Sequence, residues 1–213
     1  MTKKFYMTPG SCSTGIHILL EECGLVFEAH IVNLLAGDQY KKEYLAINPK
    51  GSIPALVLDD GSSLTEFSAI AWWLARTYPK RKLLPESIAG EVRVLGIMNY
   101  AVHTLHTQGF ARIFTTERFS PSSSDHESVK AQGRQIIDQG FAIINRELEG
   151  RDYVADQFSI ADAALFYVEF WADRTGIPLP ANCAAHYRLM LTRPAVRQVL
   201  AEEGYASVLR QTN

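Results

Sequence analysis

Lys3-Lys4-Phe5-Tyr6-Met7-Thr8-Pro9-Gly10-Ser11-Cys12-Ser13 opens the chain's first structured stretch. Its first half reads as a strand, Lys3 to Met7, and its second half as a loop. From Thr14 the apolar residues Ile16, Leu19, Leu20 and Cys23 recur at helical spacing, and Gly24 stands where a helix C-cap favours a left-handed residue. Strand, loop and helix in that order place Cys12 just ahead of a helix N-terminus. Unpaired N–H groups and the macrodipole there favour negative charge. The expectation is therefore a thiol more acidic than a free cysteine, whose pKa is about 8.5. A small structural cysteine in a packed turn is the alternative.

The pattern continues outward as Phe27 to Val32 (strand), Gln39 to Ile47 (short helix), Ile53 to Leu58 (buried strand), Ser62 to Thr65 (strand) and Glu66 to Thr77 (helix). Asp59-Asp60-Gly61 joins the last two strands as a hairpin turn. This β-α-β-α-β-β-α order resembles a thioredoxin-like domain. Past the proline- and lysine-rich stretch Tyr78 to Pro85 the strand signals end. Segments of helical period follow at about 88–114, 125–148, 159–173, 181–191 and 193–202. The expected organisation is an α/β domain over 1–80, a linker over 81–87 and an all-α domain over 88–213. Ser159-Ile160-Ala161-Asp162 has capping-box spacing, with Phe158 placed as its hydrophobic staple.

Composition removes other classes. The chain has 213 residues, 21 Lys plus Arg against 23 Asp plus Glu, and 47% hydrophobic residues. It can bury a sizeable core. Neither part carries the basic polarisation of a nucleic-acid binder. The longest apolar run, Ala69 to Ala75, is far short of the roughly 20 residues of a membrane span. The expectation is a soluble cytoplasmic protein without nucleic-acid or membrane partners. Cys12, Cys23 and Cys183 form no C-x-x-C pair, so redox turnover at Cys12 would need an external thiol.

Three further groups carry candidate chemistry. Asn48-Pro49-Lys50-Gly51-Ser52-Ile53-Pro54 leads into a strand. If its X-Pro bond is cis, the Ile53 N–H and C=O face outward beside the Cys12 loop and can pair with an extended peptide. Thr65-Glu66-Phe67-Ser68 sits at a strand-to-helix junction, where N–H groups and a carboxylate suit a zwitterionic amino-acid end or serve as ordinary capping. Asn99, His103, His106 and Phe110 share one face of an α-helix. They suit a metal, a bound sulfur or a buried interface. Tyr6, Ser11 and Ser13 are further hydrogen-bond donors near the Cys12 loop.

Taken together, Phe5 to Ser13, Ile47-Asn48-Pro49-Lys50-Gly51, Ile53-Pro54-Ala55-Leu56, Leu64-Thr65-Glu66 and Phe158 to Asp162 resemble the glutathione transferases, and most closely the bacterial beta class. The resemblance implies a thioredoxin-like glutathione-binding domain, an all-helical domain, a homodimer, and glutathione as co-substrate with no metal. It places Cys12 as the cysteine able to form a mixed disulfide. Ile53 becomes the backbone contact before cis Pro54, Glu66 the acidic residue at the γ-glutamyl end with Phe67 and Ser68 beside it, and His106 the histidine near the glutathione sulfur. The implied activity is attack of the glutathione thiolate on a small, apolar electrophile held by the helical domain against Phe110, Phe114 and Trp171. A Cys12-dependent disulfide reductase and a non-catalytic ligand-binding protein are the alternatives. Three departures from the family pattern, at Phe67, Thr107 and the uncharged Leu34-Leu35-Ala36-Gly37, predict weaker glutathione binding.

Overall fold

The computed structural model describes residues 2–210. Strands β1 (Lys3–Met7), β2 (Phe27–Ile31), β3 (Ala55–Val57) and β4 (Ser63–Thr65) form one sheet in the order β2-β1-β3-β4. β1 runs parallel to β2, and β3 is antiparallel to both β1 and β4. Helix α1 (Ser13–Cys23) connects β1 to β2, the single turn α2 (Lys42–Leu45) lies between β2 and β3, and α3 (Phe67–Thr77) follows β4. This is the thioredoxin-like arrangement expected from the sequence. The apolar face of α1, with Ile16, Leu19 and Leu20 fully buried, meets Ile70, Ala71 and Leu74 of α3, also fully buried. α1 ends at Gly24 in the left-handed conformation, φ 65°, which a glycine adopts without a Cβ penalty.

Most expected element boundaries shift by no more than two residues, but the helix expected over Gln39 to Ile47 is split into a 3-10 turn, Asp38–Tyr40, and α2, and β3 is shorter than expected. It starts at Ala55, directly after the cis Ile53-Pro54 bond, and Pro54 has no N–H to give to a ladder.

The remaining elements are helical: α4 (Ile88–Asn99), α5 (Ala111–Phe114), α6 (His126–Glu147), α7 (Ile160–Arg174), α8 (Ala181–Thr192) and α9 (Pro194–Glu202). Between α4 and α5 the helix continues without a break, but residues Tyr100–Phe110 adopt i→i+5 hydrogen bonding. α7 is buried almost along its whole length, from Ile160 to Ala172. The capping box at Ser159 and Asp162 is formed at its start, and Phe158 is buried beside it.

The chain divides into two compact units. One is the chain up to Leu84 together with the segment from Met190 onward; the other is Pro85–Leu189. The expected all-α domain over 88–213 therefore differs from the second compact unit at its C-terminal end. α9 packs on α1, with Val196, Val199 and Leu200 fully buried. Among the described residues, no helix is long and apolar enough to cross a membrane.

Candidate functional site

Cys12 stands at the N-cap of α1 and is 8% exposed, with Sγ 3.8 Å from the Ile53 carbonyl oxygen. The end N–H groups of Cys12 and Ser13 favour its thiolate, as the sequence suggests. Burial outweighs them and, with Glu66 adding like charge, pushes the thiol up to about 12. The expectation of an acidic thiol is thus corrected: the helix end is present, but water is not there to help solvate the charge.

The loop before it is self-contained. The Ser11 and Ser13 hydroxyls both bond to the Thr8 carbonyl, at 2.6 and 3.0 Å, and lie 2.6 Å from each other. They are committed to the turn. Tyr6 stacks on His30 with centroids 4.8 Å apart. Gly10, at φ 72°, donates its N–H to Glu203 Oε2 at 2.8 Å, and a Cβ at this position would collide with the Tyr205 ring. Glu203 also accepts from Thr14 Oγ1 at 2.7 Å and lies 2.9 Å from His17 Nδ1. Sequence reading missed this anchor, because no local spacing links position 203 to a loop almost two hundred residues earlier.

The Ile53 segment is held from beneath. Tyr44 Oη and Asn48 Nδ2 both donate to the Ser52 carbonyl, at 2.5 and 2.7 Å. Asn48 is fully buried, so the loop that presents Ile53 is fixed by a side chain the solvent cannot reach. Pro54 is buried beside it.

Glu66 is exposed and adopts φ 73°, ψ 129°, a conformation rare for a residue with a Cβ. Its side chain makes no capping bond to α3; Oε1 pairs instead with Lys50 Nζ at 2.7 Å, which also reaches Thr65 Oγ1 at 3.1 Å. The ordinary capping alternative is therefore set aside, and Lys50 enters as a partner the sequence reading had not assigned. Strain of this kind persists where the surroundings fix a functional backbone. Phe67 turns into the core at 4% exposure, while Ser68 is half-buried.

The helical unit holds the other candidates. The i→i+5 segment places more residues in each turn than the 3.6 of an α-helix. That separates the residues expected on one face. Asn99 and His103 are exposed, with His103 Nδ1 3.1 Å from the Asn99 carbonyl, whereas His106 turns inward. His106 Nδ1 lies 3.3 Å from Tyr167 Oη, and its ring meets Trp171 edge-on at 4.8 Å. Burial, with His103 adding to it, lowers the imidazole to about 4, so His106 is neutral at pH 7. His103 and His106 do not converge on a common ligand position.

Phe110, Phe114 and Trp171 join the same cluster. Phe110 stacks on Phe114 at 5.7 Å, and Trp171 meets their edges at 5.4 and 5.3 Å. Phe110 is fully buried and Trp171 7% exposed, against 48% for Phe114. Phe114 alone of the three offers substantial surface; the other two back it.

Comparison with known proteins gives one consistent family. Residues 10–77 match the family model described as "Glutathione S-transferase, N-terminal domain", and residues 127–202 match "Glutathione S-transferase, C-terminal domain". The chain is 36% identical to the glutathione S-transferase GstA of Escherichia coli O157:H7, over 94% of this chain and 98% of that protein. A solved glutathione transferase homologue from Sulfitobacter, with bound glutathione, superposes with a TM-score of 0.86 at 29% identity, covering 94% of this chain and 98% of that one. The beta-class glutathione S-transferase of Sphingomonas chungbukensis superposes with a TM-score of 0.81 at 31% identity, covering 95% and 99%.

Proposed function

The chain belongs to the glutathione S-transferase family, and from that premise we propose that it conjugates glutathione, through the sulfur of the tripeptide, to a small apolar electrophile. The observation that carries this reading is the convergence in one unit of three features. They are Cys12 at a helix N-terminus, the Ile53 carbonyl 3.8 Å from its sulfur, and a carboxylate at Glu66 close enough to act on the same thiol. An extended tripeptide satisfies all three. Its cysteinyl backbone pairs with Ile53 as an added strand would, and its γ-glutamyl ammonium meets Glu66. Its thiol reaches the end N–H groups of α1, which stabilise a thiolate there.

The nucleophile is then the ligand's sulfur. A Cys12 thiol held near pKa 12 is a poor thiolate source at neutral pH, which favours conjugation over a Cys12-based reductase. Within the helical unit, the exposed Phe114, backed by Phe110 and Trp171 beside neutral His106, is proposed as the apolar surface that receives the electrophile. The protein is further proposed to act as a homodimer. Ile88 and Val92, one turn apart on α4 and exposed at 81% and 62%, are offered as apolar surface for it.

Calorimetric titration of the reduced protein with glutathione tests the reading. We expect saturable binding, weakened about tenfold to a hundredfold in Glu66→Ala, the value of one charge-assisted hydrogen bond. Conjugation of a generic aryl halide should largely survive Cys12→Ala. Absence of binding at millimolar glutathione, or loss of conjugation in Cys12→Ala with the fold intact, would overturn it.

A further inference from the structure

On the far side of α1 from its apolar face, three side chains converge that the glutathione reading does not use. One ring nitrogen of His17 and one carboxylate oxygen each from Glu21 and Glu202 lie within 4.8 Å of one another. His17 and Glu21 are i and i+4 on α1, hence on one face, and Glu202 comes from the last turn of α9.

His17 is 3% exposed, and both ring nitrogens face carboxylates. Nδ1 lies 2.9 Å from Glu203 Oε1, while Nε2 lies 3.3 Å from Glu202 Oε2. An ionised carboxylate only accepts, so in a neutral ring Nδ1 donates to Glu203 and Nε2 keeps its lone pair. That lone pair points at a second acceptor, Glu202, and a cation between the two would satisfy both. A proton on Nε2 would satisfy Glu202, and Gln198 hydrogen-bonds to Glu21; a metal ion would instead be shared by all three ligands. Glu203 itself is fixed by Gly10 and Thr14, and Gln198 Nε2 holds Glu202 Oε1 at 3.0 Å.

We propose that His17, Glu21 and Glu202 bind a divalent transition-metal ion of the zinc type, with Glu203 as the carboxylate that fixes the His17 tautomer. Carboxylate, histidine and metal in line is the usual support of a metal-bound imidazole. Tetrahedral ligands at about 2.0–2.2 Å from zinc stand roughly 3.3–3.6 Å apart, so the exposed end of Glu202 and the half-buried Glu21 need only a small inward swing. The fourth position is left to water. One neutral imidazole and two carboxylates balance the charge of the ion. A nitrogen donor with only two carboxylates suits zinc rather than magnesium or calcium, which prefer all-oxygen shells. The ion would tie α9 to α1 five residues after Cys12, through the same Glu203 that holds the Gly10 turn.

Titration of the full, metal-free chain with zinc chloride and, separately, magnesium chloride tests the site, read by calorimetry and by the thermal midpoint. One equivalent of zinc should bind at micromolar concentration or tighter and raise the midpoint, and magnesium should do neither. Glu21→Gln and Glu202→Gln should each weaken zinc at least tenfold and abolish the rise. Glu202 is about half exposed, so its variant keeps the test alive if Glu21→Gln fails to fold. No saturable zinc binding, or binding unchanged in Glu202→Gln, would overturn the proposal.

Discussion

At the scale of single residues, Cys12 shows how position and environment pull a thiol in opposite directions. Its place before a helix is readable from Gly10-Ser11-Cys12-Ser13 and the helical spacing that follows, and that place alone argues for acidity. Its burial is not readable, because the Ile53 carbonyl that covers it comes from forty-one residues away. The thiol pushed up to about 12 holds roughly a thousandfold less thiolate at neutral pH than a free cysteine. We therefore expect alkylation of Cys12 by iodoacetamide, followed on its peptide by mass spectrometry, to be at least a hundredfold slower than that of free cysteine at pH 7.4. The rate should keep rising through pH 10 without a plateau. Fast labelling that levels off near pH 7 would restore the acidic thiol. Glu66 teaches the complementary lesson. Its charge and junction position are legible, but neither its positive φ nor its pairing with Lys50 is, since both depend on how two loops meet.

Elements were legible where the signal is local. The helix α7 was expected from Ser159 to Asp173 because the capping box and the apolar period that follows both lie within one short stretch, and it runs from Ile160 to Arg174. The Ser159 N–H donates to Asp162 Oδ2 at 2.7 Å, and its hydroxyl does the same at 2.7 Å. Removing that hydroxyl should cost about 1 kcal/mol, the usual value of an N-cap. For a chain of this length that lowers the thermal midpoint of Ser159→Ala by about 2–4 °C. A Ser159→Thr variant should recover most of it, and a Ser159→Ala midpoint equal to wild type would show that the box contributes nothing. The segment Tyr100–Phe110 is the counter-example. Apolar spacing announces a helix there, but the slip from i→i+4 to i→i+5 leaves no mark in composition, and so the shared face of Asn99, His103 and His106 was misjudged.

Across the whole molecule, each compact unit carries, among the described residues, a buried ionic anchor built from residues far apart in sequence, which no local spacing reveals. In the first unit it is Glu203, accepting from Gly10 and Thr14 and facing His17. In the second it is His186, with Nε2 3.1 Å from Asp162 Oδ1 and Nδ1 2.8 Å from Glu169 Oε2, all three essentially without exposure. Burial alone would drive the His186 proton off. The charge of Glu169 and the hydrogen bonds to Asp162 and Glu169 more than offset it and raise the imidazole to about 10. A histidine whose folded pKa lies above its unfolded value of about 6.5 contributes stability that is complete below that value. That contribution is lost as pH rises towards 10. Denaturant unfolding of the wild type should thus weaken between pH 6.5 and 10. His186→Gln removes one partner of a buried pair and should cost about 3–5 kcal/mol near pH 6.5. The gap between the two curves should then narrow as pH rises, because the wild type loses a proton the variant never held. Parallel curves over that range would mean that His186 is neutral in the folded protein.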